Sequence, residues 1–231
     1  MLKKLSSLLS PAGQQELRRW KCRADMKAGR FRPLDPEFDL LPELVGQGDW
    51  VLDIGANVGY YALKLSELVG ASGRVFAFEP ISRTVEVLSH NSRYAVHDNI
   101  TIIQAAAWDQ PGILSFIVDL APSGLPDYFT ARSTSEGGNF SAFATTIDSL
   151  ALPHRVSLAK IDVEGAERLV LRGMEALLRR DQPVLIVEGH ESSLADYLAG
   201  FGYVMMPRKP PSANLLFLPQ HALSRAPANL D

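Results

Sequence analysis

The sequence predicts an α/β fold built on a mostly parallel sheet with helices on both faces. Three observations predict it. Short apolar runs alternate with segments of helical spacing, the pattern of repeated βαβ units. The runs "WVLDI", "VFAFE" and "VLIVE" are continuously apolar up to a terminal acid, as strands buried on both faces read. Acids recur at the carboxyl ends of strands, at Asp53, Glu79, Asp162 and Glu188, the rim where open α/β sheets bind ligands.

Taken in order, "GDWVLDIG" reads as a buried strand closed by glycine, and "YYALKLSELVG" as a helix stopped at Gly70. "GRVFAFEP" is a second strand stopped by proline, and "SRTVEVLSHNSRYA" a helix starting at Ser82. "NITIIQAAAW" and "GILSFIVD" read as the third and fourth strands. "SGLPDYFTARSTSEGGNFSAF" is polar, glycine-bearing and aperiodic, and reads as a long loop of the kind that contacts ligands. "VSLAKID" is a strand, "EGAERLVLRGMEALLRR" one amphipathic helix, "PVLIVEG" a strand and "SSLADYLAGFG" a short helix. "YVMMP" and "NLLFLP" close the chain as a hairpin.

With 231 residues, 46% of them hydrophobic, and no Pro/Gly/Ser-rich linker, one core domain is expected. No apolar run approaches the length of a membrane span. The start, "MLKKLSSLLSPAG", has a short leucine cluster broken by serines, so a cytoplasmic location is expected rather than secretion. The single cysteine, Cys22, excludes an internal disulfide and a cysteine-based zinc cluster. Net charge is −3, unevenly placed: residues 1–32 hold nine Lys/Arg against Glu16 and Asp25, which leaves −10 for the rest. The division expected is a basic helical arm or lid over residues 1–40 and a catalytic domain over 41–231. Such an arm suits a membrane surface or a solvated face. It lacks an interleaved aromatic patch, so no nucleic-acid partner is expected.

The stretch "VLDIGANVGYYALKL" is strand, tight turn and helix. Gly55 and Gly59 permit the turn and a close approach of ligand to backbone. A dinucleotide fingerprint needs a second glycine where Asn57 stands, so that a pyrophosphate can rest on the helix. Asp53 ends the strand, where it repels phosphate and attracts a cation. S-adenosyl-L-methionine carries a sulfonium and an ammonium and no phosphate, so it fits this loop better than a nicotinamide cofactor does.

The segments "VLDIGANVGYYALKL", "VFAFEP", "IIQAAAWDQPGILSF", "TTIDSL" and "AKIDVEGAERLVLRGM" resemble the FkbM-type class I methyltransferases from about Gly48 to Val187. The resemblance implies a Rossmann-like, seven-stranded sheet in the order 3-2-1-4-5-7-6 with the last strand antiparallel. It also implies methyl transfer from S-adenosylmethionine, usually to a hydroxyl. Asp53, Gly55, Ala56, Asn57 and Gly59 would then hold the methionine end of the cofactor, with Glu79 and the adjoining Pro80 at the ribose. Gln104, Ala105 and Ala106 would lie near the adenine, and Asp109 matches an acid of the family shortly after the third strand.

Oxygen methylation is an in-line displacement that needs an aligned acceptor and a place for its proton. Asp162 at a strand end is the first candidate base. Glu164 follows it, and Glu188 and His190 follow the neighbouring strand in "VLIVEGH". Asp162 and Glu188 are also candidate ligands for a divalent metal such as Mg²⁺. Glu167 reads as a helix-dipole acid. The absence of an Asn/Asp-Pro-Pro-aromatic motif favours oxygen over nitrogen acceptors. The expected acceptor is a small molecule, sugar or glycolipid; a nucleic-acid or protein methyltransferase and a non-catalytic cofactor-binding scaffold are the alternatives.

Overall fold

The computed structural model describes residues 10–118, 132–134, 137–189, 191–207, 212–225 and 227. The chain opens with helices α1 (Pro11–Lys27) and α2 (Glu37–Leu44). It continues through β1 (Trp50–Ile54), α3 (Tyr60–Val69), β2 (Arg74–Phe78), α4 (Ser82–Ser92) and β3 (Ile100–Ile103). Four short strands follow: β4 (Ala106–Ala107), β5 (Gly112–Ile117), β6 (Arg132–Thr134) and β7 (Phe140–Thr145). The last third holds β8 (Val156–Ile161), α5 (Glu167–Arg172), α6 (Glu175–Asp181) and β9 (Val184–Glu188). It ends with α7 (Glu191–Ala199), β10 (Tyr203–Met205) and β11 (Asn214–Pro219).

Seven strands form the main sheet in the order β3-β2-β1-β8-β9-β11-β10. Counted within the sheet along the chain, this is 3-2-1-4-5-7-6, and β11 runs antiparallel to both neighbours. The order and the closing hairpin are those expected. The chain reverses direction of travel across the sheet between β1 and β8, which pair in parallel.

Alternate strand residues feed two separate cores. Val51, Leu158 and Ile186 join Phe38, Leu41, Ala62 and Leu65 of α2 and α3 on one face. Leu52, Ala159 and Leu185 join Leu171, Leu178, Leu194 and Leu198 of α5 to α7 on the other. This period of two places the rim acids. Asp53 stands two residues after Val51, Glu79 two after Ala77, Asp162 four after Leu158 and Glu188 two after Ile186. All four therefore share the parity of the face that α3 covers.

Four local expectations are corrected, three of them around the second sheet. The third strand ends at Ile103, and Ala106–Ala107 joins a second, four-stranded sheet in the order β4-β7-β5-β6. "GILSFIVD" supplies β5 of that sheet and not a fourth strand of the main one. The expected long loop contributes β6 and β7; its small, polar residues hide the period of two. Asn139 closes this sheet, its side chain bonding both the N–H and the carbonyl of Val118 at 2.9 Å. Tyr128 and Phe129 lie outside the described residues.

The helix expected in one piece over "EGAERLVLRGMEALLRR" is two. At Gly173 a Cβ would sit 1.8 Å from the Trp108 carbonyl oxygen. A new helix then starts because the Asp148 carboxylate accepts from the Ala176 and Leu177 N–H groups, each at 2.9 Å.

The basic helix α1 packs on α4. Cys22 is buried beside Val58 and Val87, and the Gln15 amide donates to the Arg83 carbonyl at 3.0 Å. Residue 40 falls inside α2, which packs on α3. Among the described residues no helix is long and apolar enough to cross a membrane.

Candidate active site

The carboxyl ends of β1, β2, β8 and β9 open into a cavity of about 420 Å³. The turn after β1 forms its first wall, through Gly55, Ala56 and Asn57. Gly55 has φ 84°, and a Cβ there would lie 1.8 Å from the carbonyl oxygen of Asp162. The close approach expected from a ligand is thus made by the neighbouring strand's own backbone. Gly59, at φ 95°, is held by Leu88, whose Cδ1 would be 2.7 Å from a Cβ. It lies behind the wall and not on it. Ala56 and Asn57 do reach the cavity, with Asn57 in the left-handed region at φ 49°.

Glu79 locks this turn. Its Oε2 accepts from the Asn57 N–H at 3.0 Å and its Oε1 from the Ile81 N–H at 2.9 Å. Burial still pushes its carboxyl up to about 7, against the pull of those two donors. Asp53 is 2% exposed. Burial pushes its carboxyl up to about 7; Asp162 adds to the rise, while Lys160 and the Ala62 N–H oppose it. Asp53 Oδ2 and Asn57 Oδ1 are buried acceptors with no hydrogen-bond partner among the described residues.

The second wall is an ion cluster. Lys160, 1% exposed, places its Nζ 3.1 Å from Asp162 Oδ2 and 5.2 Å from the centroid of the Tyr61 ring. The Tyr61 hydroxyl donates to Asp35 Oδ2 at 3.2 Å. Lys160 in β8 and Asp162 just past its end are two residues apart and so face the same way. Burial alone would raise the Asp162 carboxyl, but Lys160 and hydrogen bonds from Glu188 and Lys160 hold it below its ordinary value. Glu188 moves the opposite way, because its hydrogen bond to Asp162, its burial and the negative charge of Asp162 all favour its protonated form. The two carboxyls therefore titrate as a pair, with Asp162 the more readily ionised.

Glu164 completes a group in which carboxylate oxygens of Asp162, Glu164 and Glu188 lie within 4.8 Å of one another. Such oxygens suit a hard divalent cation. The ammonium of Lys160 already balances Asp162, so a metal there would compete with a cation built into the chain.

The remaining wall comes from the break between β3 and β4 and from the second sheet. Ala105, Ala106 and Trp108 line it together with Phe116 and Ser133; Pro80 stands beside Glu79. Pro33 and Asp35 reach in from the segment joining α1 to α2. Gln104 is exposed and Asp109 half-buried, and neither lies on the wall. His190 lies outside the described residues. Glu167 serves its own turn, accepting from the Gly165 N–H at 3.0 Å. His154 packs on Trp50 at the opposite end of the sheet.

Sequence reasoning gives no role to Lys160, Asp35 or Tyr61. A lysine inside an otherwise apolar strand, two residues from an acid, was the available signal for Lys160. Asp35 and Tyr61 carry no such local signal, because only the fold brings them together.

Three known proteins are similar over most of this length. "Hexuronic acid methyltransferase AglP" of Haloferax volcanii is 30% identical over 163 residues, covering 68% of this chain and 64% of that one. A protein of Saccharolobus solfataricus described as "Probable cobalt-precorrin-6B C(15)-methyltransferase (decarboxylating)" is 26% identical over 165 residues, covering 64% and 81%. The crystal structure of a methyltransferase FkbM from Methylobacillus flagellatus matches the fold with a TM-score of 0.52 at 18% identity, covering 73% of this chain and 43% of that one. The family model of the FkbM methyltransferase domain matches residues 53–205, and the chain belongs to that family.

Proposed function

We propose that the protein transfers a methyl group from S-adenosyl-L-methionine to a hydroxyl of a small molecule, sugar or glycolipid. The observation that carries this reading is the pair of unpartnered buried acceptors, Asp53 Oδ2 and Asn57 Oδ1, in the cavity wall. Buried acceptors left empty call for a donor or a cation. Among the described lining residues Lys160 is the one cation, against Asp35, Asp162 and Glu164 and against Asp53, Glu79 and Glu188, whose raised carboxyls a bound cation would help ionise. That balance favours a cationic ligand and repels a phosphate-bearing one. Asp53 and Asn57 would hold the cationic methionine end, and Glu79 the ribose. The cofactor supplies a methyl group already activated for displacement.

The chain's own part is to bind the acceptor and receive its proton. Asp162, kept ionised by Lys160, is the residue for that task, with Glu188, whose carboxyl is pushed up by its hydrogen bond to Asp162, beside it. Trp108 and Phe116 give the wall apolar ring faces of the kind sugar rings pack on. The name of the AglP relative, a hexuronic acid methyltransferase, supports a saccharide acceptor.

Turnover of methyl-labelled S-adenosylmethionine with a panel of sugars and glycolipids tests the reading. Asp162→Asn should lower the rate about 100- to 10,000-fold and leave cofactor affinity little changed. EDTA should leave turnover intact if Lys160 is the counter-cation, and abolish it if Asp162, Glu164 and Glu188 need a metal. Methylation of RNA or of protein carboxyls with none of saccharides would overturn the assignment.

A further inference from the structure

We propose that α1 and the segment after it form a docking face for an anionic lipid surface, and that this face carries the cavity mouth toward a lipid-borne acceptor. The second half rests on the function proposed above; the first stands on geometry and charge alone.

The inner side of α1 is fixed by Gln15, Arg19 and Cys22, which meet Arg83, Glu86 and Val87 of α4. A helix turns about 100° per residue, so Trp20 and Lys27 fall together roughly a third of a turn away from that inner side, with Arg23 on the same flank. Trp20 is a large aromatic left 63% exposed. Lys21, Arg23 and Lys27 are exposed around it. Among the described residues Lys21 and Lys27 have no ion-pair partner, whereas Arg19, Arg30 and Arg32 are paired with Glu16, Asp25 and Asp39. The Arg23 guanidinium lies 5.7 Å from the ring centroid of Tyr94, itself 44% exposed, so the face continues onto the end of α4. Basic side chains around an exposed tryptophan are what an anionic membrane interface binds, through charge and through the apolar ring together.

The segment that follows ties this face to the cavity. Phe31 packs on Tyr60, a cavity residue, with ring centroids 4.5 Å apart. Pro33 and Asp35 are themselves in the cavity wall. Leu34 stands between them and is 97% exposed. A leucine turned fully to solvent, between two residues that line the cavity, sets an apolar tip at its mouth. The charge distribution agrees: residues 1–32 carry nine Lys/Arg against two acids, while the remaining chain is acidic. An anionic bilayer would meet the arm and repel the rest, which fixes the orientation.

The test is sedimentation of the full chain with vesicles of phosphatidylcholine alone and of phosphatidylcholine with phosphatidylserine. Binding should require phosphatidylserine and fall away at high salt. A variant combining Trp20→Ala, Lys21→Glu and Lys27→Glu should bind at least about 10-fold more weakly. Leu34→Glu should weaken binding separately. All four positions are exposed, and unfolding curves and S-adenosylmethionine affinity of these variants should match the parent. Equal sedimentation with both vesicle types, or none, overturns the proposal. So does tighter binding of single-stranded RNA, or self-association, lost in the same variants. Vesicle binding without any S-adenosylmethionine binding would leave the docking face standing and sink the proposed function instead; the reverse result would do the opposite.

Discussion

Replacing Asp53 with Asn should stabilise the protein at alkaline pH while weakening its hold on the cofactor. Asp53 is 2% exposed, and burial raises its carboxyl from 3.8 to about 7. A raised folded-state pKa means that the native state keeps a proton which the unfolded chain has released. The contribution is complete below the unfolded pKa near 4 and is lost as pH rises through about 7. A tenfold change in proton affinity between the folded and unfolded chain is worth about 1.4 kcal/mol, so the charged carboxylate costs about 4 kcal/mol at pH 8 relative to pH 4. Asparagine copies the protonated shape without the charge. Urea unfolding at pH 5, 6, 7 and 8 should show the wild type losing stability with rising pH. The variant should lack one carboxyl's share, about 1.4 kcal/mol for each step of one in pH between 5 and 7, and should exceed the wild type at pH 8. Calorimetry at pH 8 should show weaker S-adenosylmethionine binding by roughly 1.5–3 kcal/mol, the worth of a charge-assisted contact. A variant with the wild-type pH slope, or one less stable than the wild type at every pH, would refute the reasoning.

Gly55→Ala forces a Cβ to within 1.8 Å of the Asp162 carbonyl oxygen at φ 84°, and should cost at least about 2 kcal/mol in unfolding experiments. Asp148→Ala leaves the Ala176 and Leu177 N–H groups without their acceptor and should cost about 1 kcal/mol, with S-adenosylmethionine affinity unchanged by calorimetry. Lys160→Met removes the ammonium 3.1 Å from Asp162, so the acid limb of the pH–rate profile should move to higher pH. An unmoved limb would mean that Asp162 is not the group whose ionisation governs turnover.

The main sheet was legible because its strands are short, apolar and closed by acids, and because the period of two sends those acids to one face. "WVLDI", "VFAFE" and "VLIVE" became β1, β2 and β9 with Asp53, Glu79 and Glu188 at one rim. What stayed hidden depends on residues far apart in the chain. Asp148 starts α6 from 28 residues upstream, and no local pattern announces it. The small second sheet is built from "AA", "GILSFI", "RST" and "FSAFAT"; "GILSFI" reads as a strand, but its sheet does not, because "RST" and "FSAFAT" are too polar and too short to show alternation. Gly55 and Glu79 were read as ligand residues, yet each also has a purely internal task. One makes room for the Asp162 carbonyl, and the other fastens the Asn57 and Ile81 N–H groups. A residue that shapes a turn and one that touches a ligand leave the same trace in a single sequence.

Every role proposed for the site depends on the cavity at the strand ends taking a cationic, phosphate-free ligand. Calorimetric titration of the full chain with S-adenosylmethionine, its demethylated product and NAD measures this most directly. Saturable binding of the first two and none of NAD is expected, with both responses weakened by Glu79→Ala. Binding of NAD with no response to S-adenosylmethionine or its product would contradict it.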